Sequence, residues 1–446
     1  MKETVFLVLF LLFYSFTFSQ QLAQSEPVNS KTQEFQSVSE FETTNGLKVI
    51  VKPRPTTATV AVGLFVRGGV RNLTPETTGI ENFALSVAIE GSKNFPRDVL
   101  KRELSRIGSS INVEASEDFS VISLVSTKTS FSKSWQIFSD LIINPAFEDK
   151  DLSIVRERIL TILRSRSISP DNFLDVLQRR FIYEGHPYAN EPLGTIENIN
   201  RFTLKDVQDY YRRILQTSQL LLVFVGDVDV EDVKKRVAET FGKLPKGDYR
   251  QKPLPALKFD KPTLEVVERN VQTNYVRGVF AAPSPSDPDY YPMKVAISLL
   301  QSRLNQEIRL ERQLSYAPDA SMNDNEANTA SIYVTAVDAN QAVELMLKEI
   351  LKLRRETLDE NSFVGFPGFF STMYYLRLET NASQVGELGR YELIGGGWRN
   401  SLMFLERINQ VKPADVRRVA QKYMRNIRFI VVGNSKSIDE KVFLNQ

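Results

Sequence analysis

No cysteine and a single histidine, His186, occur in 446 residues. The missing thiols exclude disulfides, so an oxidising compartment is tolerated but not exploited. The missing imidazoles exclude more. Protein zinc sites are built from His nitrogen, Cys thiolate and carboxylate oxygen, and catalytic ones usually take at least two soft or borderline ligands. His186 alone cannot supply them, so a hydrolytic zinc held by this chain's own side chains is not expected. An excess of one charge is also missing, with 56 Lys plus Arg against 54 Asp plus Glu. A nucleic-acid binder would show a basic surplus. Past the N-terminus no apolar run is long enough to span a bilayer, so no membrane span is expected in the mature chain.

What is present begins with an apolar run, Val5 to Phe18, behind Lys2. Its length suits a signal-peptide core and falls short of an anchor. Residues 1–19 read as a signal peptide cleaved after Ser19, with Ala23 a second option and a retained anchor the alternative. Residues 20–36, rich in Gln, Ser, Glu and Pro, read as a flexible leader. The absence of cysteine argues against a lipoprotein.

The rest of the chain is too long for one ordinary core and suits two domains. Phe41 and Thr43, Asn45-Gly46, then Leu47 to Val51 predict a hairpin. Thr59 to Arg67 predicts a strand, Thr78 to Ile89 and Val99 to Ile107 helices, and Ile111 to Glu117 with Phe119 to Thr127 a strand pair. Helices follow at Trp135 to Ile143 and Lys150 to Arg166, a buried strand at Leu220 to Val225 and a helix at Val230 to Phe241. Residues 244–262, with Pro245, Pro253, Pro255 and Pro262, predict a linker. Beyond it the order repeats loosely: strands at 264–269 and 275–281, helical sequence at 290–310, a strand at 330–335, helices at 339–355, 360–377 and 411–423, and a strand at 428–432. Leu221 to Asp227 matches Arg428 to Asn434 closely. Two homologous α+β domains, 37–243 and 263–440, each with an antiparallel-rich sheet and helices, are the simplest account.

Several landmarks, in order, carry a resemblance over Phe41 to Asn434. They are Thr44-Asn45-Gly46-Leu47-Lys48-Val49, Gly63 to Gly69, Gly185-His186-Pro187-Tyr188, Leu193-Gly194-Thr195, Gly226-Asp227, Arg312-Gln313-Leu314-Ser315-Tyr316 and Leu378-Glu379-Thr380-Asn381. Together they resemble the pitrilysin/insulinase family of inverted-motif zinc peptidases. The resemblance implies a zinc motif H-x-x-E-H on the first long helix and a distal Glu on a later one. Residues three and four apart share a helical face, so two His can bind one ion while Glu activates its water. At the matching positions this chain has Asn82, Leu85 and Ser86, and Ile162 for the distal Glu. The apolar replacements suggest a site repacked rather than adapted to another metal. Glu81, Glu90 and Asp118 are nearby carboxylates, but carboxylates alone suit Mg or Ca better than zinc. Glu81 is expected to be a solvated helix residue, and His186 to serve a structural turn.

A second family feature is kept. The resemblance implies an Arg and a Tyr four residues later, from the C-terminal domain, that bind the substrate backbone and stabilise the oxyanion. Arg312 and Tyr316 match this pair, with Gln313 where a Gly is usual. A guanidinium offers fixed donors to a carbonyl, and a phenol offers one more where negative charge develops. The plain alternative is that Arg312 pairs with Glu307 or Glu311 while Tyr316 packs. Gly395-Gly396-Gly397 reads as a flexible loop. The aromatic stretch Phe366 to Tyr375 reads as core or, alternatively, as a wall of a peptide chamber.

The resemblance therefore implies a secreted, periplasmic, non-catalytic subunit of a heteromeric pitrilysin-type metallopeptidase. It would help form a chamber for unfolded peptide, with zinc on the partner and Arg312 and Tyr316 donated in trans. A protease-inactive scaffold or peptide-binding module within a larger complex is the alternative. A free-standing enzyme of another mechanism is the third.

Overall fold

The computed structural model describes residues 37–356, 358, 359, 363 and 365–446. The signal and leader expectations lie outside these residues. So does most of 360–364, where the 360–377 helix was expected to begin.

Alternating or wholly apolar β-rich runs build two sheets. The first joins β1 (Ser39–Glu42), β2 (Lys48–Pro53), β3 (Thr59–Arg67), β4 (Ser110–Ala115), β5 (Phe119–Thr127) and β6 (Leu220–Gly226) in the order β1-β2-β6-β3-β5-β4. The second joins β7 (Thr263–Glu268), β8 (Asn274–Ala281), β9 (Asp319–Met322), β10 (Thr329–Ala336) and β11 (Arg428–Gly433) in the order β7-β11-β8-β10-β9. Apart from the extra edge strand β1, the orders coincide. In each sheet the outer pair, β2 with β6 and β7 with β11, is parallel, and the remaining equivalent pairs are antiparallel. The central β6 is buried along its whole length, as its Leu-Leu-Leu-Val-Phe-Val-Gly sequence demands.

The helices repeat too. The first half carries α1 (Ile80–Ala88), α2 (Arg97–Ile107), α3 (Phe131–Ile143), α4 (Asp149–Arg166), α5 (Pro170–Leu177), α6 (Leu204–Ile214) and α7 (Val230–Thr240). The second carries α8 (Tyr290–Leu304), α9 (Ala339–Arg355), α10 (Phe366–Arg377), α11 (Asn381–Ile394) and α12 (Pro413–Tyr423). By chain order and strand context α1 corresponds to α8, α3 to α9, α4 to α10, α5 to α11 and α6 to α12.

Two of these helices are exchanged. α11 packs on β3 and β6 of the first sheet, while α5 packs on β8 and β11 of the second. Glycines allow the closer of these contacts. A Cβ on Gly63 of β3 would meet Val385 Cγ1 at 2.6 Å, and one on Gly389 of α11 would meet the Phe65 ring at 2.2 Å. Asn381, from the Leu-Glu-Thr-Asn landmark, donates to Thr59 O (2.9 Å) and Thr57 Oγ1 (3.1 Å) and accepts from Arg54 Nη1 (2.6 Å).

The proline-rich stretch 244–262 forms no helix or strand beyond Lys243. It is nevertheless pinned. Lys252 O accepts from Arg71, Pro255 O pairs with His186, and Leu254, Leu257 and Phe259 pack against the first core. It is a strap over the first half rather than a free tether. Among the described residues no helix is long and apolar enough to cross a membrane.

A buried polar network ties the halves together. The β9–β10 hairpin reaches into the first half, where Glu326 pairs with Arg71 and its backbone N–H donates to Asp118 Oδ2 at 2.9 Å. Asp118 also accepts from Arg71 Nη2 (3.0 Å) and Tyr188 OH (2.6 Å).

Candidate functional site

α1 starts where two landmark segments collide. Gly79 has φ +89°, and a Cβ there would lie 2.4 Å from Gly194 Cα. Only glycine permits that approach in that conformation. Thr78 Oγ1 donates to Glu191 O at 2.8 Å, completing the junction. The helix is thereby set with Asn82 and Ser86, four residues apart, on one face. They line a cavity of about 440 Å³ with Ile159 and Ile162 of α4 and Ile111, Asn112 and Val113 of β4. Leu85 points away into the core and is 1 % exposed.

The expectation of a repacked site is half right. Leu85 is packed, but Ile162 is 41 % exposed and the space between the helices stays open. The donor set does not fit zinc, because the four positions offer an amide, a hydroxyl and two hydrocarbons. Among the described residues no group of three or more His, Cys, Asp or Glu side chains could hold a metal ion.

The neighbouring carboxylates are committed elsewhere. Glu90 accepts from Arg97 Nη1 (2.6 Å) and Arg158 Nη1 (2.8 Å). Asp118 belongs to the inter-half network. Glu81 corrects the expectation of a solvated residue: it is 2 % exposed, accepting from Ser120 Oγ (2.6 Å) and Tyr210 OH (2.7 Å). Burial raises its carboxyl to about 7, against the lowering effect of those two hydrogen bonds. Position 81 follows the helical turn inward, whereas Asn82 faces the cavity.

His186 is structural, as its loop suggests. Nδ1 accepts from Tyr188 N at 3.1 Å, so Nε2 carries the proton donated to Pro255 O at 3.0 Å. Burial lowers its pKa, which favours the neutral ring, against the raising effect of the bond to Pro255 O. Gly395-Gly396-Gly397 is not a free loop. Gly397 N donates to Tyr391 O at 2.9 Å and Asn400 Nδ2 to Gly395 O at 2.8 Å, closing the end of α11.

Arg312 and Tyr316 follow a π-helical turn, Asn305–Glu311. Arg312 Nη2 lies 3.4 Å from Glu307 Oε1, and its side chain is half exposed. Tyr316 is 80 % exposed, with the Arg309 guanidinium 4.3 Å over its ring. The packing expected of Tyr316 in the plain alternative is therefore absent, while the ion pair with Glu307 is present. Gln313 adopts φ +54°, so the backbone keeps the left-handed turn despite the lost glycine. Neither Arg312 nor Tyr316 lines the cavity around Asn82 and Ser86.

A larger polar cleft of about 600 Å³ opens between the halves, and Ile162 lines it as well. Its charges are compensated: Arg179 pairs with Glu117 and Glu191, Arg166 with Glu191, Arg277 with Asp175 and Asp324 with Lys294. No local motif marks this cleft, because segments far apart in sequence supply its walls. β4, which lines the smaller cavity, is the edge of the first sheet, with a ladder edge unpaired among the described residues.

Two family profiles match the chain. Residues 48–185 match "Insulinase (Peptidase family M16)" and residues 201–364 match "Peptidase M16 inactive domain". Among curated relatives, the mitochondrial-processing peptidase subunit beta of Saccharomyces cerevisiae is 22% identical over 431 residues, covering 90% of this chain and 92% of its own. The non-peptidase homolog YmxG of Helicobacter pylori is 22% identical, covering 84% and 89%. Among solved structures, a peptidase M16 inactive domain from Pseudomonas fluorescens superposes with TM-score 0.81 at 17% identity, covering 89% of this chain and 98% of that one. A protease from Helicobacter pylori superposes with TM-score 0.80 at 19% identity, covering 89% and 99%. These structures share the fold, two α+β halves in tandem. With both profiles in sequence order, and a single histidine that rules out any H-x-x-E-H, the chain belongs to the insulinase family, peptidase family M16, as a member without the peptidase signature.

Proposed function

We propose that this chain is a non-catalytic subunit of a heteromeric zinc metallopeptidase of its family, secreted to the periplasm by its N-terminal segment. The partner subunit holds the zinc, and unfolded peptide is the substrate. Arg312 and Tyr316 are presented to the partner's site, where they bind the peptide backbone and the developing oxyanion. The observation that carries this reading is the split fate of the constellation. The four metal positions have lost their chemistry, yet the Arg–Tyr pair persists on a left-handed turn, exposed and outside its own chain's cavity. The free edge of β4, beside the cavity around Asn82 and Ser86, supports a role in holding extended peptide. A processing-peptidase subunit among the relatives agrees with assembly into a pair.

The pairing of Arg312 with Glu307 favours a second reading, a scaffold that has left catalysis altogether. Co-expression with a zinc-bearing homologue separates the two. Arg312→Ala and Tyr316→Phe should each lower peptide cleavage by the pair roughly 10²–10³-fold, the usual loss for one oxyanion donor. Unchanged cleavage would reject donation in trans.

A further inference from the structure

The helix α10 carries no charged residue from Phe366 to Leu376. Its inward face is well occupied. Phe370 and Tyr374 are buried, and the Tyr374 ring stacks on Phe404 with centroids 5.6 Å apart. Its outward face carries four large apolar side chains that no described residue covers, beside Thr372, whose hydroxyl is bonded to Gly368 O at 2.9 Å. Phe369 and Met373 are each 50 % exposed, Leu376 61 % and Tyr375 66 %. Phe369, Met373 and Leu376 follow the spacing i, i+4, i+7 and form one stripe. Core formation explains the first face and leaves the second unexplained, since contiguous exposed apolar surface marks interaction sites.

The counterpart helix makes the contrast sharper. α4 exposes Ile154 and Ile162 singly, among Arg156, Glu157, Arg158, Arg164 and Arg166. Both helices border a cavity against the first helix of their own half, α1 for α4 and α8 for α10. For α10 this is a space of about 390 Å³ bounded by Phe366, Phe369, Gln301, Ser302 and Asn305. Phe369 thus forms part of a concave wall.

We propose that the outward face of α10 is a docking site for a short apolar segment of unfolded polypeptide. The area argues for a segment rather than a folded subunit. Four side chains of this size, half to two-thirds exposed, offer roughly 400 Å², whereas a stable subunit interface needs about 800 Å² from each partner. The chemistry argues for varied apolar sequence. No charge on the stripe selects an ionic partner, and Arg377 beside it is engaged with Glu387 at 2.9 Å. A flexible Met among aromatic rings adapts to differently shaped side chains. This inference rests on the preceding section only for the nature of the occupant. It gives the subunit a second hold on peptide, remote in sequence from β4 and independent of any zinc.

The test uses the purified mature chain alone. Its probe is a fluorescein-labelled 15-residue peptide with Leu and Phe at i, i+3, i+4 and i+7, and its control is the same peptide with Gln at those positions. Fluorescence anisotropy should show the apolar peptide binding at least tenfold more weakly to the triple variant Phe369→Ser/Met373→Ser/Leu376→Ser than to wild type. Met373→Leu should retain binding, and the Gln control should bind neither. The substituted side chains are exposed, and an unchanged melting temperature verifies the fold. Equal binding by wild type and triple variant would overturn the proposal. So would concentration-dependent dimerisation of wild type that the variant loses in sedimentation velocity, because a second copy would then be the occupant. Flotation of wild type, but not variant, with phosphatidylethanolamine–phosphatidylglycerol vesicles would overturn it in favour of a lipid surface. Arg312→Ala should bind the peptide normally, so this result and the co-expression result can fail separately.

Discussion

The two halves share a scaffold and differ in what they place on it. Both set a cavity between the first helix of the half and a later helix, α1 with α4 and α8 with α10. In the first half that cavity shows Asn82, Ser86 and a rim where Arg97 and Arg158 neutralise Glu90. In the second half the α8 side of the cavity is polar, with Ser298, Gln301 and Ser302, and the α10 side is aromatic, with Phe366 and Phe369. Strand order and helix exchange survive in both, so they answer to packing. The contents of the cavities diverge freely, so they answer to function.

The largest test of this comparison breaks the join between halves. Arg71 is 6 % exposed and holds Asp118 and Glu326 from opposite halves. Arg71→Ala leaves a buried carboxylate without its cation and should destabilise the chain by about 3–5 kcal/mol, measured by urea denaturation.

The second test weighs the exchanged helices against each other. Asn381 anchors α11 through buried amide bonds, whereas Asp175 anchors α5 through a 2.5 Å pair with Arg277 whose carboxylate is 62 % exposed. Asn381→Ala should be destabilising by about 1–3 kcal/mol, and Asp175→Ala by less than about 1 kcal/mol. Equal effects would mean the two exchanges are anchored alike.

A third test sharpens the contrast in buried charge. The Glu81 carboxyl is raised on folding from 4.5 to about 7. Such a group favours the folded state fully below its unfolded pKa, and that advantage is lost as pH rises through about 7. Between pH 5 and pH 8 wild type should therefore lose on the order of 1 kcal/mol or more relative to Glu81→Gln. Thermal unfolding of both proteins across that range checks the sign.

The smallest expected effect concerns the turn bearing Arg312. Gln313 at φ +54° is strained relative to glycine, so Gln313→Gly should stabilise the chain by about 0.5–1 kcal/mol. A loss would show that the Gln313 side chain makes contacts that outweigh the backbone relief.

Much of this architecture was legible because period and punctuation agreed with the fold. Asn45-Gly46 gave the β1–β2 hairpin, Gly108 ended α2, and the paired runs at 221–227 and 428–434 became the equivalent strands β6 and β11. Patterning did not mark α6, although Thr203 and Asp206 form a capping box that signals its start. That helix supplies Tyr210, so the burial of Glu81 stayed hidden with it. That Asn82 and Ser86 share a helical face followed from their spacing, and the structure puts both on one cavity wall. The open cavity was not legible, because whether Asn82 and Ser86 face a void or a filled core depends on neighbours from α4 and β4. The outward face of α10 was ambiguous for a related reason: an uninterrupted apolar sequence does not say which half of its circumference is covered.

The crossed helices bear on how the chain is made and broken. A ribosome releases the first half before α11 exists, so the first sheet waits with β3 and β6 unroofed until the last quarter of the chain arrives. Folding is thus a reciprocal act, in which each lobe finishes the other. A protease nick within residues 244–262 would sever one covalent connection and leave two fragments clasped by α5 and α11. Either fragment alone would present the naked sheet that a chaperone or an aggregate would claim.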